Sequence, residues 1–104
     1  MELSVQEVQK ILAEDPSVRL LDVREDFERA IASLPGSQQL TEQLATEISQ
    51  RGDRNARYIF MCHHGIRSMV AAQYFAQQGF KNVYSMRGGI QAWSEEIDPE
   101  MPMY

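Results

Sequence analysis

Tyr58-Ile59-Phe60-Met61-Cys62-His63-His64-Gly65-Ile66-Arg67-Ser68 is the stretch that decides the fold. Residues 58–62 are apolar and rich in aromatic and β-branched types, the composition of a strand buried on both faces. The run stops at two histidines and a glycine, and Ser68 is of a residue type that caps helices. Beyond it Val70, Ala71, Tyr74 and Phe75 recur at helical spacing, and Gly79 marks that helix's end. A strand running through a short loop into a helix is the first half of a parallel crossover unit.

The same alternation extends outward. Ser4 and Glu7 stand at capping-box spacing ahead of Val5, Val8, Ile11 and Leu12, and Pro16 ends that helix. Residues 18–23 (Val-Arg-Leu-Leu-Asp-Val) suit a buried strand, residues 25–31 a short helix, and Leu34-Pro35-Gly36-Ser37 a turn. Leu40 ends a short extended piece. Thr41 caps a helix carrying Leu44, Ala45 and Ile48 that stops near Gly52. Asn82-Val83-Tyr84-Ser85 is a further strand, and Gly88-Gly89 turns into a last helix holding Ile90, Trp93 and Ile97. The expected class is α/β, a parallel sheet with helices on both faces.

At 104 residues the chain is expected to form one domain over residues 1–104, with an irregular tail at about 98–104. A net charge of -5 removes the basic footprint that nucleic-acid binding needs. No run approaches the length of a membrane helix, and the acidic N-terminal stretch lacks a signal-peptide pattern, so the expected address is the cytoplasm. One cysteine excludes an internal disulfide and a four-thiolate metal cage. By default such a residue is a small buried hydrophobe.

Its position overturns that default. Ligands of parallel α/β sheets bind outside the carboxyl ends of the strands, where residue 62 falls. Amides of a loop that curls before a helix point inward as an anion nest, and the helix start adds partial positive charge. Gly65 lets the loop curl and Arg67 adds a fixed charge. All of these favour a thiolate at Cys62 and so a nucleophile. Four residues separate Cys62 from Arg67, one fewer than in cysteine phosphatases. The smaller ring suits a single sulfur atom bonded to Cys62 better than a phosphate.

Here the sequence resembles the rhodanese family of sulfurtransferases. Leu20-Leu21-Asp22-Val23-Arg24-Glu25, with Glu28 and Leu34-Pro35-Gly36-Ser37, resembles the family's first signature. Residues 62–68 resemble its active-site loop, and Gly88-Gly89-Ile90 with Trp93 its closing signature. Residues 97–104 are similar to the tail of rhodanese domains fused behind enzymes that activate sulfur carriers. Two positions depart from the pattern: Ala32-Ser33 replaces the usual Gly-His, and Arg29 replaces an aromatic. The resemblance implies a three-layer α/β/α fold with a central, mostly parallel sheet of about five strands.

It also implies a cycle. The Cys62 thiolate takes the outer sulfur of a small anionic donor such as thiosulfate, and the resulting persulfide is discharged to cyanide, a thiol or a protein acceptor. No metal or organic cofactor is implied. His63, His64, Gly65, Ile66, Arg67 and Ser68 form the loop, with Ser68 chiefly a helix cap and both histidine side chains expected at the solvent-facing rim. Arg67 is expected to face the donor, anchor the loop, or both. Arg24 either helps bind the same anion or pairs with Glu25, Glu28 or another acid. Asp22 is expected to be structural, tying loop amides or an arginine. Arg24, Arg67 and Arg87 are candidates for a positive mouth, whereas Arg51, Arg54 and Arg57 read as a solvated loop. Two alternatives stand beside the enzyme: a sulfur-relay module acting only with a protein partner, and a cysteine phosphatase or arsenate reductase.

Overall fold

The computed structural model describes residues 1–104. Strands and helices alternate as β1 (Glu2–Leu3), α1 (Val5–Glu14), β2 (Arg19–Asp22), α2 (Asp26–Ile31), β3 (Gln38–Gln39), α3 (Glu42–Arg51), β4 (Arg57–Met61), α4 (Ile66–Gln77), β5 (Asn82–Met86) and α5 (Gly89–Glu96). The strands form one sheet, in the order β1-β5-β4-β2-β3, and every pairing is parallel.

The helix starts follow from their caps. Ser4 Oγ accepts from Glu7 N at 3.1 Å while Glu7 Oε1 accepts from Ser4 N at 2.9 Å. Thr41 Oγ1 accepts from Leu44 N at 3.1 Å and opens α3. The start of α4 differs from expectation. Gly65 at φ +99° takes the cap position, a conformation closed to most other residues, and the helix begins at Ile66. Ser68 therefore lies inside the first turn, and its hydroxyl is free for another partner.

Alternating strand residues feed two cores. Leu20, Ile59, Met61 and Met86 pack with Val5, Val8, Ala32, Leu34, Ile90 and Trp93, beneath α1 and α5. Leu21, Tyr58, Phe60 and Val83 pack with Ile48, Ala72, Phe75 and Phe80, beneath α3 and α4. The chain leaves β2 toward the first core through Ala32 and Leu34, and leaves β4 toward the second through α4. The gap between the carboxyl ends of β2 and β4 is thus a switch point, the usual ligand crevice of open sheets. Asp22 ends β2 and Cys62 follows β4 at that gap.

The tail is irregular in backbone but fixed to the body. Met101 packs against the first core, Ser94 Oγ donates to Met101 O at 2.9 Å, and the chain returns Tyr104 to the carboxyl end of the sheet.

The start of α5 clasps the loop after β4 from below. Ile90 N donates to Cys62 O at 2.8 Å and Gln91 N to His63 O at 3.1 Å. Gly89, at φ +61°, permits this approach, since a β-carbon there would fall onto the carbonyls of Cys62 and His63. Gly89→Ala is expected to cost about 3 kcal/mol or more, combining left-handed strain with that collision. Urea denaturation measures it, and a loss below 1 kcal/mol would remove the clasp from the account.

Candidate active site

Cys62 is buried, and polar groups surround its sulfur. Gly65 N donates to Sγ at 3.0 Å and Ser68 N at 3.4 Å, with Ser68 Oγ also 3.4 Å away. Burial by itself would push the thiol up. The hydroxyl and amide of Ser68 and the amides of Gly65 and His64 outweigh it and hold the thiol below its ordinary value. A cavity of about 260 Å³ lined by Cys62, His63, His64, Ile66 and Arg67 opens above the sulfur.

Arg67 is a loop anchor. Its Nη1 and Nη2 grip Glu28 Oε1 and Oε2 of α2 at 2.7 and 2.8 Å, a bidentate pair joining the start of α4 to α2. This pair holds the Glu28 carboxyl down to about 2 against its burial, helped by the Glu25 amide and the Tyr104 hydroxyl. It likewise raises Arg67.

Arg24 has no donor left free for an anion. It is buried, and all five of its N–H donors have partners. Nε and Nη2 bind Asp22 at 3.0 and 2.7 Å, Nη2 also binds Ala32 O at 2.7 Å, and Nη1 binds Glu28 O at 3.3 Å and Tyr104 Oη at 2.8 Å. Its ionic partner is Asp22, neither Glu25 nor Glu28. Asp22 also takes the Arg24 amide at 3.0 Å and Arg29 Nη1 at 2.8 Å. Arg29, at the position that departs from the family pattern, thus completes the cage around a buried carboxylate.

The positive mouth expected of three arginines does not form. Arg24 is enclosed, Arg67 holds Glu28, and Arg87 Nε lies 3.6 Å from Glu2 Oε1. Arg54 Nη2 donates to Ser49 O at 2.6 Å and Arg57 lies 3.7 Å from Asp15, both at the opposite end of β4 from Cys62. The groups that touch the sulfur itself are the loop amides and the start of α4.

The two histidines part company. His64 is exposed. His63 lines the cavity but is only half-exposed: its ring lies between those of His64 and Tyr104, each centroid 3.9 Å away. Its Nε2 is buried without a partner. Burial, then the neighbouring His64, lowers its basicity. Tyr104 Oη donates to Glu28 Oε2 at 2.9 Å, so one side chain touches the histidine stack, the Glu28–Arg67 pair and Arg24. No three His, Cys, Asp or Glu side chains gather to hold a metal ion.

Sequence reasoning missed Glu28 as the partner of Arg67, Tyr104, and Ser85, whose Oγ lies 2.7 Å from Ser68 Oγ. Ser85 alone left a signal: it falls on the same face of a strand as Val83, a buried position given to a hydroxyl.

A parallel α/β domain whose central strand ends in a buried cysteine, ringed by loop amides at a helix start, is an arrangement that favours the anionic form of a sulfur. The chain belongs to the rhodanese-like domain family, whose model matches residues 4–96. It is 33% identical over 99 residues to YtwF of Bacillus subtilis, named as a sulfurtransferase, with 95% of each chain covered. It is 34% identical over 82 residues to the thiosulfate sulfurtransferase GlpE of Vibrio cholerae, covering 79% of this chain and 77% of GlpE. A rhodanese-like/PpiC domain-containing protein of Arabidopsis thaliana is 41% identical, and the chain spans only 30% of its length. Among solved structures, a rhodanese-related protein of Thermoplasma volcanium matches with TM-score 0.73 and 28% identity over 92% of each chain. No helix is long and apolar enough to cross a membrane.

Two consequences are measurable. Glu28 sits at about 2 when folded against an ordinary 4.5, so its contribution is complete above pH 4.5 and is lost as pH falls toward 2. It amounts to at most about 3 kcal/mol, discounted because Arg67 is half-exposed. Denaturation at a series of pH values is expected to show this loss in the native protein and a flatter acid limb in Glu28→Gln. Arg24→Ala, which strands Asp22, is expected to cost about 3–5 kcal/mol of stability. It should leave the KM for an anionic sulfur donor unchanged in the molecules that fold, and a raised KM with intact stability would restore Arg24 to the binding site.

Proposed function

We propose that the protein is a sulfurtransferase that carries a sulfane sulfur on Cys62. The observation that carries this reading is the buried Sγ with Gly65 N at 3.0 Å and Ser68 N at 3.4 Å, inside a loop with only four residues between Cys62 and Arg67. So tight a ring fits one more sulfur atom. The names of YtwF and GlpE support the same chemistry, and that of GlpE supports thiosulfate as a donor.

In the first half-reaction the Cys62 thiolate attacks the outer sulfur of thiosulfate. The S–S bond of the donor breaks, sulfite departs with the bonding pair, and Cys62 carries a persulfide anion. In the second, cyanide, a thiolate or a protein cysteine attacks the outer sulfur, and Cys62 leaves as thiolate. The loop amides hold the negative charge throughout without reorganising. The persulfide itself is the carrier, so the cycle uses no metal or organic cofactor. With one cysteine among the 104 residues, the acceptor in this reading is a group other than a second thiol of these residues. The cytoplasm, which keeps thiols reduced, suits this cycle.

Intact-mass measurement of the purified protein with and without thiosulfate tests the reading. The expected result is a gain of one sulfur atom, removed by cyanide and absent in Cys62→Ser, which stays folded. Failure of Cys62 to take up sulfur from thiosulfate and from protein persulfides alike would reject it, and phosphate-ester hydrolysis lost in Cys62→Ser would replace it with the phosphatase reading.

A further inference from the structure

Behind the nucleophile lies a hydroxyl pair that the cycle above does not use. Ser85, on β5, and Ser68, in the first turn of α4, are both fully buried. Their oxygens are 2.7 Å apart, and either can be the donor. Ser68 Oγ is 3.4 Å from Cys62 Sγ on one side, and Ser85 Oγ is 3.5 Å from Gly65 O on the other. The chain of contacts is therefore Sγ, Ser68 Oγ, Ser85 Oγ, Gly65 O, with two rotatable O–H groups.

Such a chain has two consistent hydrogen-bond directions. With a neutral thiol, S–H donates to Ser68, Ser68 to Ser85, and Ser85 to the Gly65 carbonyl. With a thiolate, both hydroxyls turn round: Ser85 donates to Ser68 and Ser68 donates to sulfur. No proton passes along the pair, because the Gly65 carbonyl cannot take one, so the thiol proton leaves through the open cavity. The two directions differ in strength. The thiolate chain ends on a charge and each bond polarises the next, whereas the thiol chain begins with a weak S–H donor and ends on a long contact.

We infer that Ser85 is a positioning residue that turns Ser68 into a hydrogen-bond donor for the anionic form of Cys62. The role rests on Cys62 being the nucleophile proposed above, but its test needs no sulfur donor. The charged or titratable groups at the carboxyl end of the sheet around Cys62 are Arg67 of α4, bound to Glu28 of α2, Asp22 at the end of β2, bound to Arg24 and Arg29, His63 and His64 of the loop, and Tyr104, bound to Arg24 and Glu28; Tyr58, Arg57, Arg19, Tyr74, Tyr84, Glu95 and Glu96 lie on the surrounding elements. None of them touches Ser85 Oγ.

The experiment is a pH titration of the thiolate by its ultraviolet absorbance, with Cys62→Ser as the blank. Ser85→Ala is expected to raise the midpoint by about half to one pH unit, a three- to tenfold loss of thiolate at pH below both midpoints. Ser85→Thr, which keeps the hydroxyl, is expected to titrate like the native protein even if less stable. In a Ser68→Ala background, Ser85→Ala is expected to add no further change, since its effect runs through Ser68. A native midpoint in Ser85→Ala, or an equal added change without Ser68, would overturn the inference. Because the titration precedes any sulfur uptake, its outcome and that of the mass measurement are separable.

Discussion

The hydrogen bonds of Gly65 N and Ser68 N to the sulfur of Cys62, with the Ser68 hydroxyl beside it at 3.4 Å, are the interaction on which the rest depends. A buried thiol is ordinarily pushed toward its neutral, unreactive form. Here donors fixed by the backbone reverse that tendency, and they can do so only if the loop keeps its curl. Much of the nearby structure holds that curl. The left-handed Gly65 starts α4 early enough to bring the Ser68 amide under the sulfur, and α5 fixes the Cys62 and His63 carbonyls from below.

A second tier holds the loop from the side. The Asp22–Arg24 pair is buried at the end of β2, with the part-exposed Arg29 of α2 closing over it, and Tyr104 connects it to Glu28, which grips Arg67 at the start of α4. Such a network adds little net stability when complete, but removing one member leaves a charge stranded in a medium that cannot solvate it. Its effect is to fix the distance between the ends of β2 and β4, the gap in which Cys62 sits. Arg24 and Arg29 therefore act on geometry, Arg67 anchors the loop while lining the cavity, and the groups that touch the sulfur are backbone amides and the Ser68 hydroxyl.

Local signals carried most of the fold. Ser4–Glu7 and Thr41 cap the helices they were expected to cap, and the apolar run before Cys62 is the central strand. What was illegible is what depends on distant partners. β1 is only Glu2–Leu3, and pairing with β5 alone makes it a strand. Glu28 meets Arg67 39 positions away and Tyr104 76 positions away, and no spacing rule reaches so far. One error was an error of competition. Ser68 has the chemistry of a cap, but Gly65 had the conformation for it, which released the Ser68 hydroxyl to the sulfur. Arg24 had several acids nearby in sequence, and the spacing left open which would pair with it; Asp22, buried at the end of β2, is the one that does.

The central claim is that the cradle overcomes burial and keeps Cys62 ionised more readily than a free cysteine. The direct measurement is the rate of alkylation of this single thiol in the native protein as a function of pH, alongside a cysteine peptide. The account expects the midpoint to lie below the ordinary thiol value of 9.0 and the reaction to be uniform, since only one thiol is present. A midpoint at or above that value in the folded protein would mean that burial prevails over the amides, and the cradle would no longer explain the site.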